Sequence, residues 1–163
     1  PNEKTDEKKL LEAMQAAQHM ADTVVLCDTI GTAHPSSMLR TLELSRHIDS
    51  DIALHLHHMK DKKDNMFPNI QTALEWGVTQ FDASIGGLGG CPFVSGSGSN
   101  LSTNDMVRFL HKNDYETGLD IWELDAIANV YAAEQIIPHT PIRLRVRNKL
   151  EEIFSKSPVS SKW

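Results

Sequence analysis

The chain has 163 residues, 40% of them hydrophobic, with no biased tract, which suffices for one globular domain with an ordinary core. A formal net charge of −6 argues against a nucleic-acid surface, and no uninterrupted apolar run approaches the roughly 20 residues that cross a bilayer. The two cysteines, Cys27 and Cys91, stand in unlike settings, which speaks against a disulfide framework and for a reducing interior.

Pro1-Asn2-Glu3 carries neither an initiator Met nor a targeting segment, and the expectation is a chain cut from a longer one. Thr5 can cap a first helix with Asp6 and Glu7 in its first turn. Leu10, Leu11, Met14, Ala17 and Ala21 then recur near helical spacing, so the helix is expected to reach about Met20. Thr23-Val24-Val25-Leu26-Cys27, closed by Asp28-Thr29-Ile30-Gly31, suits a buried parallel strand. A second helix follows His34-Pro35 with Met38, Leu39 and Leu42 inward. From Asp51 to His57 the pattern alternates, placing Ile52, Leu54 and Leu56 on one face and Ala53, His55 and His57 on the other. A third helix over about 65–76 stops at Gly77, a residue suited to a left-handed cap.

Val78 to Ile85 is the third expected strand, and Gly86-Gly87-Leu88-Gly89-Gly90-Cys91-Pro92 follows as a loop. After Ser97-Gly98-Ser99-Asn100, Thr103 can cap a helix through about His111, and Asp120 another through about Glu134. Pro138 and Pro141 separate a last segment, Ile142 to Phe154, read as a helix with a frayed Ser-rich end; the division is 1–137 and 138–163. Alternation of helices and strands predicts an α/β fold with a parallel sheet, either a Rossmann-like layer or part of a (β/α)8 barrel.

Residues two apart on a strand share a face, so His55 and His57 can present imidazole nitrogens to one divalent ion, while His58 points to the other side. Asp28 ends the preceding strand, where a carboxylate serves a substrate hydroxyl or, equally, a turn. Asn100 offers the neutral oxygen that hard ions such as Mg²⁺ or Mn²⁺ accept. Cys91, among glycines, is open to substrate and suits acid–base work. Arg143, Arg145 and Arg147 read as a solvated face.

Several of these motifs occur together in one family. Leu26-Cys27-Asp28-Thr29-Ile30-Gly31, His55-Leu56-His57, Ala73-Leu74-Glu75-Trp76-Gly77-Val78, Gly87-Leu88-Gly89-Gly90-Cys91-Pro92 and Gly98-Ser99-Asn100-Leu101-Ser102-Thr103, in this order, resemble the hydroxymethylglutaryl-CoA lyase family of metal-dependent aldolase-type barrels. The resemblance implies a (β/α)8 TIM barrel, of which this chain holds the last three βα units and C-terminal helices. It also implies cleavage of an acyl-CoA substrate, 3-hydroxy-3-methylglutaryl-CoA, to acetyl-CoA and acetoacetate with a divalent metal, Mg or Mn. By position it assigns His55, His57 and Asn100 as metal ligands and Cys91 as the catalytic cysteine. His55 gains a proton-shuttle role, and Asp28 and Asp105 match active-site aspartates.

Three departures from the pattern stand out. The segment 58–64 is longer and more charged than the usual turn, Asn104 replaces an acidic residue before Asp105, and the arginine–aspartate pair of the first strand has no counterpart. Three strands cannot close a barrel. The expected partner is therefore a complementary N-terminal barrel segment or a second copy, with no nucleic acid or membrane involved. The expected compartment is the cytoplasm for a bacterial source and the mitochondrial matrix for a eukaryotic one. The alternatives are a related Claisen-type synthase, a pyruvate aldolase, or a non-catalytic half-barrel module.

Overall fold

The computed structural model describes residues 6–59, 65–91 and 97–136. The expected C-terminal unit, 138–163, including its arginine segment, lies outside the described residues, as does most of the charged 58–64 turn. The elements run α1 (Glu7–Ala17), β1 (Thr23–Asp28), α2 (Pro35–Ser45), β2 (Asp51–Met59), α3 (Met66–Trp76) and β3 (Gln80–Asp82). A 3-10 turn (Ile85–Gly87), β4 (Ser97–Asn100), α4 (Thr103–Lys112) and α5 (Ile121–Ile136) follow. Strands β1, β2 and β3 lie parallel in that order, and helices intervene between them, so the α/β alternation expected from the sequence is present.

The alternation along β2 decides which side carries the core. Leu54 and Leu56 are 1% exposed and pack with Met38 and Leu42 of α2 and Met66, Ile70 and Ala73 of α3. The opposite face presents His55 and His57. A smaller cluster of Met14, Val24 and Ile48 fastens α1 to β1. Helix α3 ends at Gly77, whose φ of 104° places it in the left-handed region that a side chain resists. Among the described residues no helix is long and apolar enough to cross a membrane.

Several local expectations are corrected. Asp6, not Thr5, caps α1, accepting from the backbone N–H groups of Lys8 and Lys9, and the helix ends at Ala17 rather than Met20. Ser102, not Thr103, caps α4 by accepting from the Asp105 N–H. Leu39 is exposed, because Met38 and Leu42 already occupy the inward row and the next position is rotated about 100° around the helix. Strand β3 has three residues instead of eight: Gly86 and Gly87, at φ 61° and 70°, coil the chain out of the sheet. Ser97–Asn100, which the sequence pattern leaves without an element, forms a strand running antiparallel along the end of β2. Asp120 accepts from the Trp122 and Glu123 N–H groups at the start of α5, as its cap role requires.

Candidate metal centre and cysteine loop

On β2 the two-residue period brings His55 and His57 together, with their Nε2 atoms 2.9 Å apart and ring planes at 70°. At that distance one ring's N–H can donate to the other's lone pair, so the two Nε2 atoms meet in opposite roles, one as donor and one as acceptor. His57 is 5% exposed. Its burial, followed by the neighbouring His55, pushes its pKa below the ordinary value, while a hydrogen bond with the Gly98 backbone and the Asp28 charge oppose the shift.

The cross-strand neighbours complete the face. His57 is the register partner of Asn100 on β4, and residues directly opposite in an antiparallel pair project to the same side. Asn100 Nδ2 donates to the Leu88 carbonyl at 2.8 Å, which fixes the amide and leaves its oxygen as the acceptor end. On the parallel side His55 is flanked in register by Cys27 and Asp82, and its Nδ1 lies 3.5 Å from Asp82 Oδ2. Asp82 was not among the residues singled out in the sequence; counting four residues from Val78 into the expected third strand, as from Asp51 to His55 on the second, would have aligned it with His55.

Glycines let three segments converge here. A Cβ on Gly31, which has φ 68°, would lie 2.5 Å from the His57 carbonyl oxygen, so the turn after β1 sits directly on the backbone of the histidine strand. Gly90 bridges Ser99, bringing the stretch before Cys91 against β4, and Cys91 is half-buried. Cys27 is exposed, yet partial desolvation of its sulfur, then the Asp82 carboxylate, push its thiol pKa up. Neither cysteine is disulfide-bonded.

Asp28 is used by the turn: Oδ1 accepts from the Thr32 N–H at 3.1 Å and Oδ2 from the Ala33 N–H at 2.9 Å. Asp105 is exposed on the first turn of α4, with Arg108 Nη1 3.5 Å from its Oδ1.

Whether the donor set suits a divalent ion can be tested on distance. Two nitrogens bound cis at about 2.1 Å in an octahedral site stand about 3 Å apart. The observed 2.9 Å between the Nε2 atoms fits one edge of such an octahedron. Among the described residues no group of three or more His, Cys, Asp or Glu side chains is clustered to hold a metal. A third protein ligand must therefore be a neutral oxygen, for which Asn100 is placed, or come from outside these residues.

The sequence profile of the HMGL-like family matches residues 2–131, and the chain belongs to that family. It is 43% identical over 101 residues to a hydroxymethylglutaryl-CoA lyase of Bacillus subtilis, a match covering 61% of this chain and 33% of that protein. A crystal structure of the Bacillus subtilis HMG-CoA lyase superposes with a TM-score of 0.73 at 32% identity, over 90% of this chain and 49% of that one. An Acinetobacter baumannii HMG-CoA lyase in complex with coenzyme A and 3-methylmalate superposes with a TM-score of 0.72 at 27% identity, over 81% of this chain and 43% of that one. The chain thus spans a third to a half of the length of these relatives.

Proposed function

We propose that this chain forms part of a (β/α)8 barrel and contributes the metal-binding strand and cysteine loop of a lyase that cleaves 3-hydroxy-3-methylglutaryl-CoA to acetyl-CoA and acetoacetate. The observation that carries the proposal is the pair of Nε2 atoms 2.9 Å apart on a strand that pairs with Asn100 on β4, the strand against which the Cys91 loop bridges. The lyases that the chain resembles support the substrate, including the one in complex with coenzyme A.

His55, His57 and Asn100 would hold the ion, Mg²⁺ or Mn²⁺. When bound, a divalent ion lowers the pKa of the substrate hydroxyl and orients its carboxylate. His55 is the proposed shuttle for the hydroxyl proton, with Asp82 orienting its ring through Nδ1. Loss of that proton turns the hydroxyl carbon into the ketone of acetoacetate as the carbon–carbon bond breaks. The electron pair passes to the methylene carbon of the acetyl-CoA fragment, and the Cys91 thiol donates the proton that this carbon needs. Asp28 supports His57 through its charge while its oxygens hold the turn. Asp105 is given no step, because it is exposed and faces Arg108.

Strand β1 pairs only with β2 among the described residues. Beside it lies a cavity of about 530 Å³ lined by Leu10, Leu26, Met38 and Leu54 together with Glu7 and Arg40. An edge with a groove of mixed polar and apolar lining next to it is where a further barrel unit would dock, supplied by a complementary segment or by a second copy. Native mass spectrometry combined with a cleavage assay in Mg²⁺ or Mn²⁺ tests both parts. Metal-dependent acetoacetate formation by the assembled barrel is expected. Turnover by the lone 163-residue chain overturns the shared barrel, and an assembled barrel that forms no acetoacetate and acetyl-CoA from 3-hydroxy-3-methylglutaryl-CoA overturns the lyase.

A further inference from the structure

Asn104 stands where the family resemblance expects an acid, and its surroundings show what takes the acid's place. The side chain is 4% exposed and both of its ends are used. Oδ1 accepts from the Gly86 N–H at 3.0 Å, and Nδ2 donates to Asp125 Oδ1 at 2.8 Å. A carboxylate only accepts, so Asp125 forces the amide to turn its NH₂ toward α5 and its oxygen toward the loop. Asp125 also accepts from Arg108, and the Asn104 amide first, with Arg108 behind it, holds its carboxyl below the usual range. The receiving end is Gly86, at φ 61°, where the 3-10 turn begins to curl into the cysteine loop. One turn later the Leu88 carbonyl accepts from Ser84 Oγ and from Asn100 Nδ2.

We propose that Asp125 of α5, acting through the oriented amide of Asn104, is a positioning residue that sets the base of the Cys91 loop. This deepens the lyase reading, on which the importance of Cys91 rests. The carboxylate expected at 104 is here carried by a neighbouring helix, with Asn104 as the link between it and the loop.

The test uses the full chain and two readings that need no turnover: exchange of the Gly86 amide hydrogen, and the alkylation rate of Cys91 by iodoacetamide against Cys27 as internal reference. Asn104→Asp sets two carboxylates against each other and removes the donor. Gly86 exchange is expected to quicken about tenfold, the effect of losing roughly one charge-assisted hydrogen bond, and the Cys91 to Cys27 ratio to change. The exchanged pair, Asn104→Asp with Asp125→Asn, puts the acceptor at 104 and the donor at 125, and is expected to restore both readings. Failure of the exchanged pair to restore them, or an Asn104→Asp protein identical to the parent, overturns the proposal. If Asn104→Asp does not fold, Asp125→Asn alone decides: faster Gly86 exchange supports the link and unchanged exchange refutes it. Restoration in the exchanged pair, alongside an assembled barrel that fails to cleave the carbon–carbon bond of 3-hydroxy-3-methylglutaryl-CoA, would sink the lyase reading and leave the positioning role standing.

Discussion

His57 and Asn100 face each other across the antiparallel register of β2 and β4, although 43 residues separate them in the chain. This pairing joins the histidine strand to Asn100, the proposed non-histidine ligand, and the Leu88 carbonyl holds its amide in place. Replacing Asn100 by Ala removes that oxygen and the loop contact together. The expected result is a loss of Mn²⁺ affinity of about 10- to 100-fold, read by calorimetric titration of the assembled protein. Affinity equal to the parent's would remove Asn100 from the ligand set.

His57 gives the fold a pH dependence whose sign follows from its environment. Its pKa is lowered on folding from the ordinary value of 6.5, chiefly by burial. Between the two values the unfolded chain binds more protons, so stability rises with pH there. The full contribution is present above about 6.5 and is lost as pH falls below it, levelling off under the folded-state pKa. Urea titrations at pH 7.5, 6.5 and 5.5 should show this decline in the metal-free chain. His57→Gln should flatten it, and an equal slope in the variant would place the dependence elsewhere.

Cys91 is expected to matter for chemistry and not for metal binding. Cys91→Ala in the assembled barrel should lower kcat by about 10² to 10⁴, the range of a lost general acid, with Mn²⁺ affinity unchanged. Cys27→Ala serves as the contrast, since Cys27 lies on β1 beside His55 and has no assigned proton transfer. Equal losses in the two variants would contradict the assignment of the proton donor to the loop.

Gly31 carries the tightest steric constraint near the site. A methyl group there meets the His57 carbonyl oxygen at 2.5 Å and the Met59 amide nitrogen at 2.6 Å, in a backbone conformation with φ 68°. The left-handed conformation alone costs a side chain about 1–2 kcal/mol, and the backbone contacts cannot yield as a flexible side chain would. Gly31→Ala should lower the thermal midpoint and loosen Mn²⁺ binding together. A variant with the parent's melting temperature would show that the turn can move without disturbing β2.

The α/β order and the histidine face were legible in the residues because both are local. A strand repeats every two residues, so His55 and His57 must share a side, and Leu54 and Leu56 must take the other and form the core. Gly77 likewise announces the end of α3 through a conformation that it alone adopts freely. The caps of α1 and α4 were each misplaced by one residue, since Thr5, Asp6, Ser102 and Thr103 all have capping chemistry and only the path of the chain selects among them.

What the amino-acid sequence determined by itself was the succession of elements and the chemistry presented on each, including the family to which the motifs pointed. The tertiary structure decided the connections between distant segments: Asn100 opposite His57, Asp82 beside His55, and Asn104 joined to Asp125. It also decided how the acids are used, turning Asp28 to the backbone of its own turn and Asp105 toward Arg108. Periodicity is written within a segment, whereas register depends on how two segments slide against each other. Local spacing carries no information about that sliding; the packing of both segments into one core supplies it.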